Sequence, residues 1–229
     1  MSDLQGFLLQ ASIWVIPLLL AIPTHEAAHA WVARHYGDDT ASKLGRVTFN
    51  PIKHVDMFGT ILLPGLLILV SAPFIFGYAK PVPVNFSRLR NPKRDMIWVA
   101  LAGPASNILL ACIGAVLLHV AIVVPGIFGA WLQTTLSLLV QLNIVLAVFN
   151  MLPVLPLDGG RVLTGLLPLN LARAFARTER YGMVVLLGLI IILPLIASQI
   201  GVVFSPLAWV ILPITDAIRT VIFTVFGLI

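Results

Sequence analysis

Two histidines four residues apart enclose a glutamate in the run His25-Glu26-Ala27-Ala28-His29. On a helix of 3.6 residues per turn both imidazoles leave the same face. That places two nitrogens within reach of one tetrahedral zinc ion, at roughly 2.0–2.1 Å each. Glu26 directly follows the first histidine, so its carboxylate can meet a water at the metal without taking a ligand position. No charged residue lies between this run and Asp3. Ionisable groups are costly inside an apolar stretch of membrane length and are usually functional there. The pattern therefore predicts a hydrolytic metal centre instead of a chance match on an ordinary helix.

A catalytic zinc takes a third protein ligand and keeps one position open for water. Asp158 is the single acidic residue between Asp95 and Glu179, and it closes a long apolar segment. Read locally, it is a carboxylate opening a turn into Gly159-Gly160. A two-histidine site would then lack its third ligand, and no other acid sits at comparable depth, so Asp158 is the candidate.

The elements that must position these groups are membrane helices. The chain has 229 residues, 59% hydrophobic and 10% charged, with a mean hydropathy of +1.04. Soluble domains carry about a quarter charged residues. The composition predicts an all-α polytopic membrane protein of five to six transmembrane helices, each about 20 residues long. It forms a single domain over 1–229, with a catalytic core at about 7–165 and accessory helices at about 181–226. The net charge of +5 reflects basic loops between apolar segments and does not indicate nucleic-acid binding. The one cysteine, Cys112, excludes an intramolecular disulfide framework and a cysteine-based zinc knot. The remaining histidines have ordinary readings: His35 interfacial, His54 in a polar loop, His119 a hydrogen-bonded core residue.

Prolines and glycines punctuate the rest. Pro17 and Pro23 are expected to bend the first segment. Residues 45–51 read as a short strand closed by Asn50-Pro51, and residues 80–85, with Pro81 and Pro83, read as extended. Residues 57–78 are apolar but interrupted by Pro64-Gly65, Pro73 and Gly77. Residues 79–95 hold five basic residues against Asp95, and the loop after Asp158 carries Arg161, Arg173, Arg177 and Arg180. Both basic loops are therefore expected on the cytoplasmic side. Residues 37–56 balance three basic against three acidic residues, so charge alone does not decide whether 57–78 cross the bilayer. If His25, His29 and Asp158 share one depth, the end of the first segment is also cytoplasmic. Residues 57–78 then form a re-entrant segment sheltered by protein.

Three motifs now stand in order within apolar segments: His25 to His29, Gly103-Pro104-Ala105-Ser106-Asn107, and Asn150 through Pro153 to Asp158-Gly159. In this the chain resembles the site-2 protease family of intramembrane zinc metalloproteases, from about residue 10 to 165. It is most similar to the compact bacterial or archaeal members that lack PDZ and CBS domains, and residues 77–85 also look like that subgroup. The resemblance implies Zn2+ held by His25, His29 and Asp158, with Glu26 as general base. It implies that Asn107 and Asn150 act near the substrate carbonyl. A buried asparagine also ties adjacent helices together, and for Asn107 both readings stand.

The resemblance further implies a prokaryotic cell membrane, single-span membrane protein substrates and a small membrane-associated β element. A transmembrane helix hides its amides in its own hydrogen bonds, so a substrate must unwind locally. The extended pieces 45–50 and 80–86, with Val47, Phe49, Val82 and Val84, are the candidates for receiving an unwound peptide by strand addition. Against the protease stand a metal transporter and a zinc-bearing scaffold. A transporter would string ionisable groups along a path through the membrane, whereas here they converge on one place.

Overall fold

The computed structural model describes residues 3–62, 65–66, 69, 79–199, 201–202 and 204–229. Helix α1 (Asp3–His35) runs through both Pro17 and Pro23. A short α2 (Thr40–Lys43) follows, then single helical turns at Pro51–His54, Met57–Leu62 and Phe86–Arg88. The long helices α3 (Pro92–Val123) and α4 (Gly126–Asn150) come next. Two short helices, α5 (Asp158–Leu166) and α6 (Leu169–Ala176), precede the last pair. These are α7 (Glu179–Gln199), which carries a π turn at Gly188–Ile192, and α8 (Pro206–Val225). Five described helices are long and apolar enough to cross a membrane: α1 from Leu8, α3, α4, α7 and α8.

The α1, α3 and α4 helices form the framework of the bundle. Between α3 and α4 the seam is made of small residues. Ala111, Ala115 and Ala121 of α3 are fully buried against Leu136, Leu139, Val140 and Ile144 of α4, and Ile211 and Ile222 of α8 close the cluster. Lipid is as apolar as these side chains, so close van der Waals packing, which alanine permits, holds the helices together. The outward faces keep large apolar residues exposed, among them Leu109, Val116 and Ile122.

The C-terminal end of α1 and the N-terminal end of α3 lie together. Tyr36 O accepts from the Arg90 backbone N–H at 3.0 Å, the Asn85 N–H donates to Asp38 at 2.6 Å, and Arg88 pairs with Asp39 at 2.9 Å. The Asp39 carboxyl is held below its ordinary value chiefly by its hydrogen bond with Lys43, with Arg88 adding to the effect. Residues 36–39 after α1 and residues 85–90 before α3 thus meet at one end of the bundle. The segment 57–78, expected to be re-entrant, lies largely outside the described residues.

Among the described residues there is no strand, although residues 45–50 and 80–85 were expected to supply a β element. Pro81 and Pro83 have no N–H to give a ladder. Instead the two pieces are joined by a side chain, with the Arg46 guanidinium donating to Lys80 O at 2.7 Å. The Lys80 N–H donates to His54 O at 2.9 Å.

If the small-residue seam sets the bundle, Ala115→Leu should destabilise it by about 1–3 kcal/mol through overpacking. Thermal unfolding in detergent should show a lower midpoint for Ala115→Leu and little change for Val116→Leu on the lipid face.

Candidate metal centre

His25 and His29 project from one face of α1 toward α3, and both are buried. The α3 helix meets them with a stripe of three positions four residues apart. His29 Nδ1 lies 2.7 Å from Val99 O, and His25 Nδ1 lies 2.7 Å from Asn107 Oδ1. Gly103 sits between these two contacts. A β-carbon there would overlap His29 Nε2 and His25 Cε1, so glycine is the residue that lets α3 approach both rings. The two periodicities match because both elements are α-helices packed side by side.

A carbonyl oxygen can only accept a hydrogen bond. Each ring facing one must therefore donate from Nδ1, which leaves a lone pair on Nε2. The two Nε2 atoms lie 3.0 Å apart. Asp158 Oδ2 lies 3.3 Å from each of them and has no hydrogen-bond donor among the described residues. Three acceptors converge on one point without a proton between them, an arrangement that a cation satisfies. Two ligands of one tetrahedral zinc, each about 2.0–2.1 Å from it, lie roughly 3.3–3.4 Å apart. The donor set, the spacing and the orphaned carboxylate oxygen all fit zinc. Among the described residues this is the one trio of His, Cys, Asp or Glu side chains with that geometry.

Asp158 reaches this point because α4 ends at Asn150 and a tight turn leads into α5. Gly159 presses against the Met151 carbonyl there, where a side chain would not fit. Asp158 occupies the first turn of α5, and α5 packs along α3 through Gly165 against Ile97.

Glu26 lies on the same turn as His25, rotated roughly 100° around the helix. Its Oε2 accepts the Val82 backbone N–H at 2.6 Å. Val82 is buried against Ala30 and Ala41, with Val47 packed beside them. Val84 packs on the cluster of Ala33, Leu89 and Val99, and Phe49 is exposed. Asn150 donates from Nδ2 to Leu146 O in its own helix at 3.0 Å. Asn107 is fully buried, with its Oδ1 on His25 and its Nδ2 2.8 Å from Asn143 Oδ1 and 3.4 Å from Ala21 O.

The bundle is a membrane protein with five described helices apolar enough to cross a bilayer, built around a His-His-Asp group that could hold a metal ion. The model for peptidase family M50 matches residues 13–130 and 120–194. A Bacillus subtilis protein named as a zinc metalloprotease, YwhC, is 44% identical over 181 residues, covering 77% of this chain and 79% of its own length. The zinc metalloprotease MJ0392 of Methanocaldococcus jannaschii is 29% identical over 157 residues, covering 68% of this chain and 34% of its own. No solved structure matches the chain significantly. The chain belongs to peptidase family M50, the site-2 proteases, and is a zinc metalloprotease.

The close approach at Gly103 has a measurable consequence. Gly103→Ala should drive the two rings off α3 and lower zinc affinity by at least the roughly 10–100-fold typical of lost outer-shell support. Zinc retention against a graded chelator, measured on folded protein, reads this directly.

Proposed function

We propose that this protein hydrolyses peptide bonds within or near transmembrane segments of single-span membrane proteins. The observation that carries the reading is the convergence of His25, His29 and Asp158 beside Glu26 at membrane depth. His25 lies ten residues before the end of α1, about 15 Å along the helix axis. A hydrocarbon core is about 30 Å thick, so the site sits well below the interface. A soluble substrate would not meet it there.

In this reading His25, His29 and Asp158 hold the zinc and keep their other contacts to themselves. When bound, zinc supplies Lewis-acid polarisation of the scissile carbonyl and lowers the pKa of a coordinated water towards neutrality. Glu26 takes the proton from the attacking water and returns it to the leaving amine. The Val82 N–H holds Glu26 Oε2 in place, which leaves Oε1 for the proton. Asn150 stands at the end of α4, eight residues before Asp158, and is the candidate donor to the developing oxyanion. Asn107 has its amide committed on both sides, which supports a role in holding His25.

Substrate approach follows from the extended pieces. Among the described residues the backbone N–H and C=O of Val84 make no hydrogen bond, so this position offers an unwound peptide a rung of strand addition. Val47 packs beside Val82 of the same strap, and Phe49, two residues further on, is exposed. Asp158 and the end of α1 lie beside the basic stretches of 79–95 and 161–180, which supports a site nearer the cytoplasmic face, in this reading that of a prokaryotic cell membrane. α1 ends and α3 begins at that same face in this reading.

Glu26→Gln separates this reading from a transporter or scaffold. The variant should keep its zinc and lose cleavage of a co-expressed single-span substrate by about 10²–10⁴-fold. Undiminished cleavage, or a transport function that survives the change, would sink it.

A further inference from the structure

Asn143 is fully buried in the middle of α4, touches none of the three ligands, and has no part in the chemistry described so far. We propose that it is a positioning residue for zinc binding, setting the tautomer of His25 through Asn107. The inference rests on the reading of His25 as a ligand and adds a residue to that site.

Its argument is one of direction along a chain of hydrogen bonds. Leu139 O is a carbonyl and only accepts, so the group 2.8 Å from it on Asn143 is the Nδ2 donor. Asn143 Oδ1 is thereby turned toward α3, where it accepts from Asn107 Nδ2 at 2.8 Å. That bond turns Asn107 Oδ1 toward His25 Nδ1, at 2.7 Å. The ring must then carry its proton on Nδ1 and present a bare lone pair at Nε2, beside Asp158 Oδ2. Each amide could point either way on its own, because oxygen and nitrogen have nearly the same shape. A backbone carbonyl at one end removes that freedom from the whole chain.

Reversal would matter chemically. With Asn107 turned over, its NH2 would face Nδ1, the ring proton would move to Nε2, and the lone pair that binds metal would be lost. The other contact of Asn107 Nδ2, with Ala21 O, is long at 3.4 Å, so the bond from Asn143 is the stronger anchor. His29 needs no such device. Its partner is Val99 O, a backbone atom that has no alternative orientation. Only the ligand held by a side-chain amide needs a second amide behind it.

The test uses full-length protein in detergent and reads zinc affinity by chelator competition, with the absorption spectrum of the cobalt-substituted protein as a second readout. Asn143→Leu keeps the volume and removes the acceptor. It should bind zinc about 10–100-fold more weakly, as outer-shell losses do, and its cobalt spectrum should change. Asn107→Asp placed in the Asn143→Leu background should restore affinity, because either carboxylate oxygen accepts from His25 Nδ1 and no amide needs fixing. Asn143→Asp, whose buried carboxyl in its protonated form can donate to Leu139 O and accept from Asn107, should lose less affinity than the leucine variant and carries the test if that variant does not fold. Wild-type affinity in Asn143→Leu would overturn the proposal. So would a loss that Asn107→Asp does not restore, or equal losses in the leucine and aspartate variants. His25→Ala is the control that separates the two levels: if it too keeps full zinc affinity, the ligand reading itself has failed.

Discussion

Two imidazoles can share one cation only if both present lone pairs to it, and everything about this bundle follows from that requirement. A histidine facing solvent exchanges its proton between two nitrogens. Here solvent is excluded, and each Nδ1 faces a carbonyl oxygen of α3, one from backbone and one from an amide side chain. The stripe Val99, Gly103, Asn107 therefore does three different jobs at one helical spacing: acceptor, gap and acceptor. The third acceptor, Asp158, arrives from a separate helix and faces the same point. Among the described residues nothing donates to it there, an arrangement that a cation would complete electrostatically.

Placing such a group of acceptors at membrane depth also explains the packing around it. The long helices approach closely through alanine and glycine, because in lipid their association depends on contact and not on expulsion of water. That closeness is what brings Asn143 of α4 onto Asn107 of α3. Interhelical amide contacts of this sort are ordinary glue in membrane proteins. In this chain the same contact sits one bond from a ligand, so the glue and the site share atoms.

The strap of residues 80–85 is held by polar ends and not by a ladder. Three of its four backbone N–H groups, those of Lys80, Val82 and Asn85, go to His54 O, to Glu26 and to Asp38, and Arg46 covers its first carbonyl. A sheet was the natural reading of alternating valine and proline, and among the described residues none forms. Proline gives extended conformation but withholds the donor that pairing needs. What the extended conformation does provide is a fixed amide beside the carboxylate of Glu26.

Residue chemistry alone determined the candidate ligands, since His25 and His29 are bound to one helical face and Asp158 is the sole acid between Asp95 and Glu179. It also determined the membrane class, because a chain that is 59% hydrophobic and 10% charged has no soluble alternative. Tertiary structure decided the rest. From the sequence Asn107 had two equal readings, and the position of its two amide atoms between His25 and Asn143 supports the one that holds neighbouring helices and rings in place. Asn143 itself was passed over, although it lies seven residues before Asn150, on the same face of an apolar helix, and a polar residue in such a place is a signal worth following. The physical reason is that spacing along a helix fixes which side chains share a face, whereas the direction of a hydrogen bond depends on which helix stands opposite. A motif can name the candidate ligands of a metal, but each ring's Nδ1 faces a neighbour 82 residues away for His25 and 70 for His29.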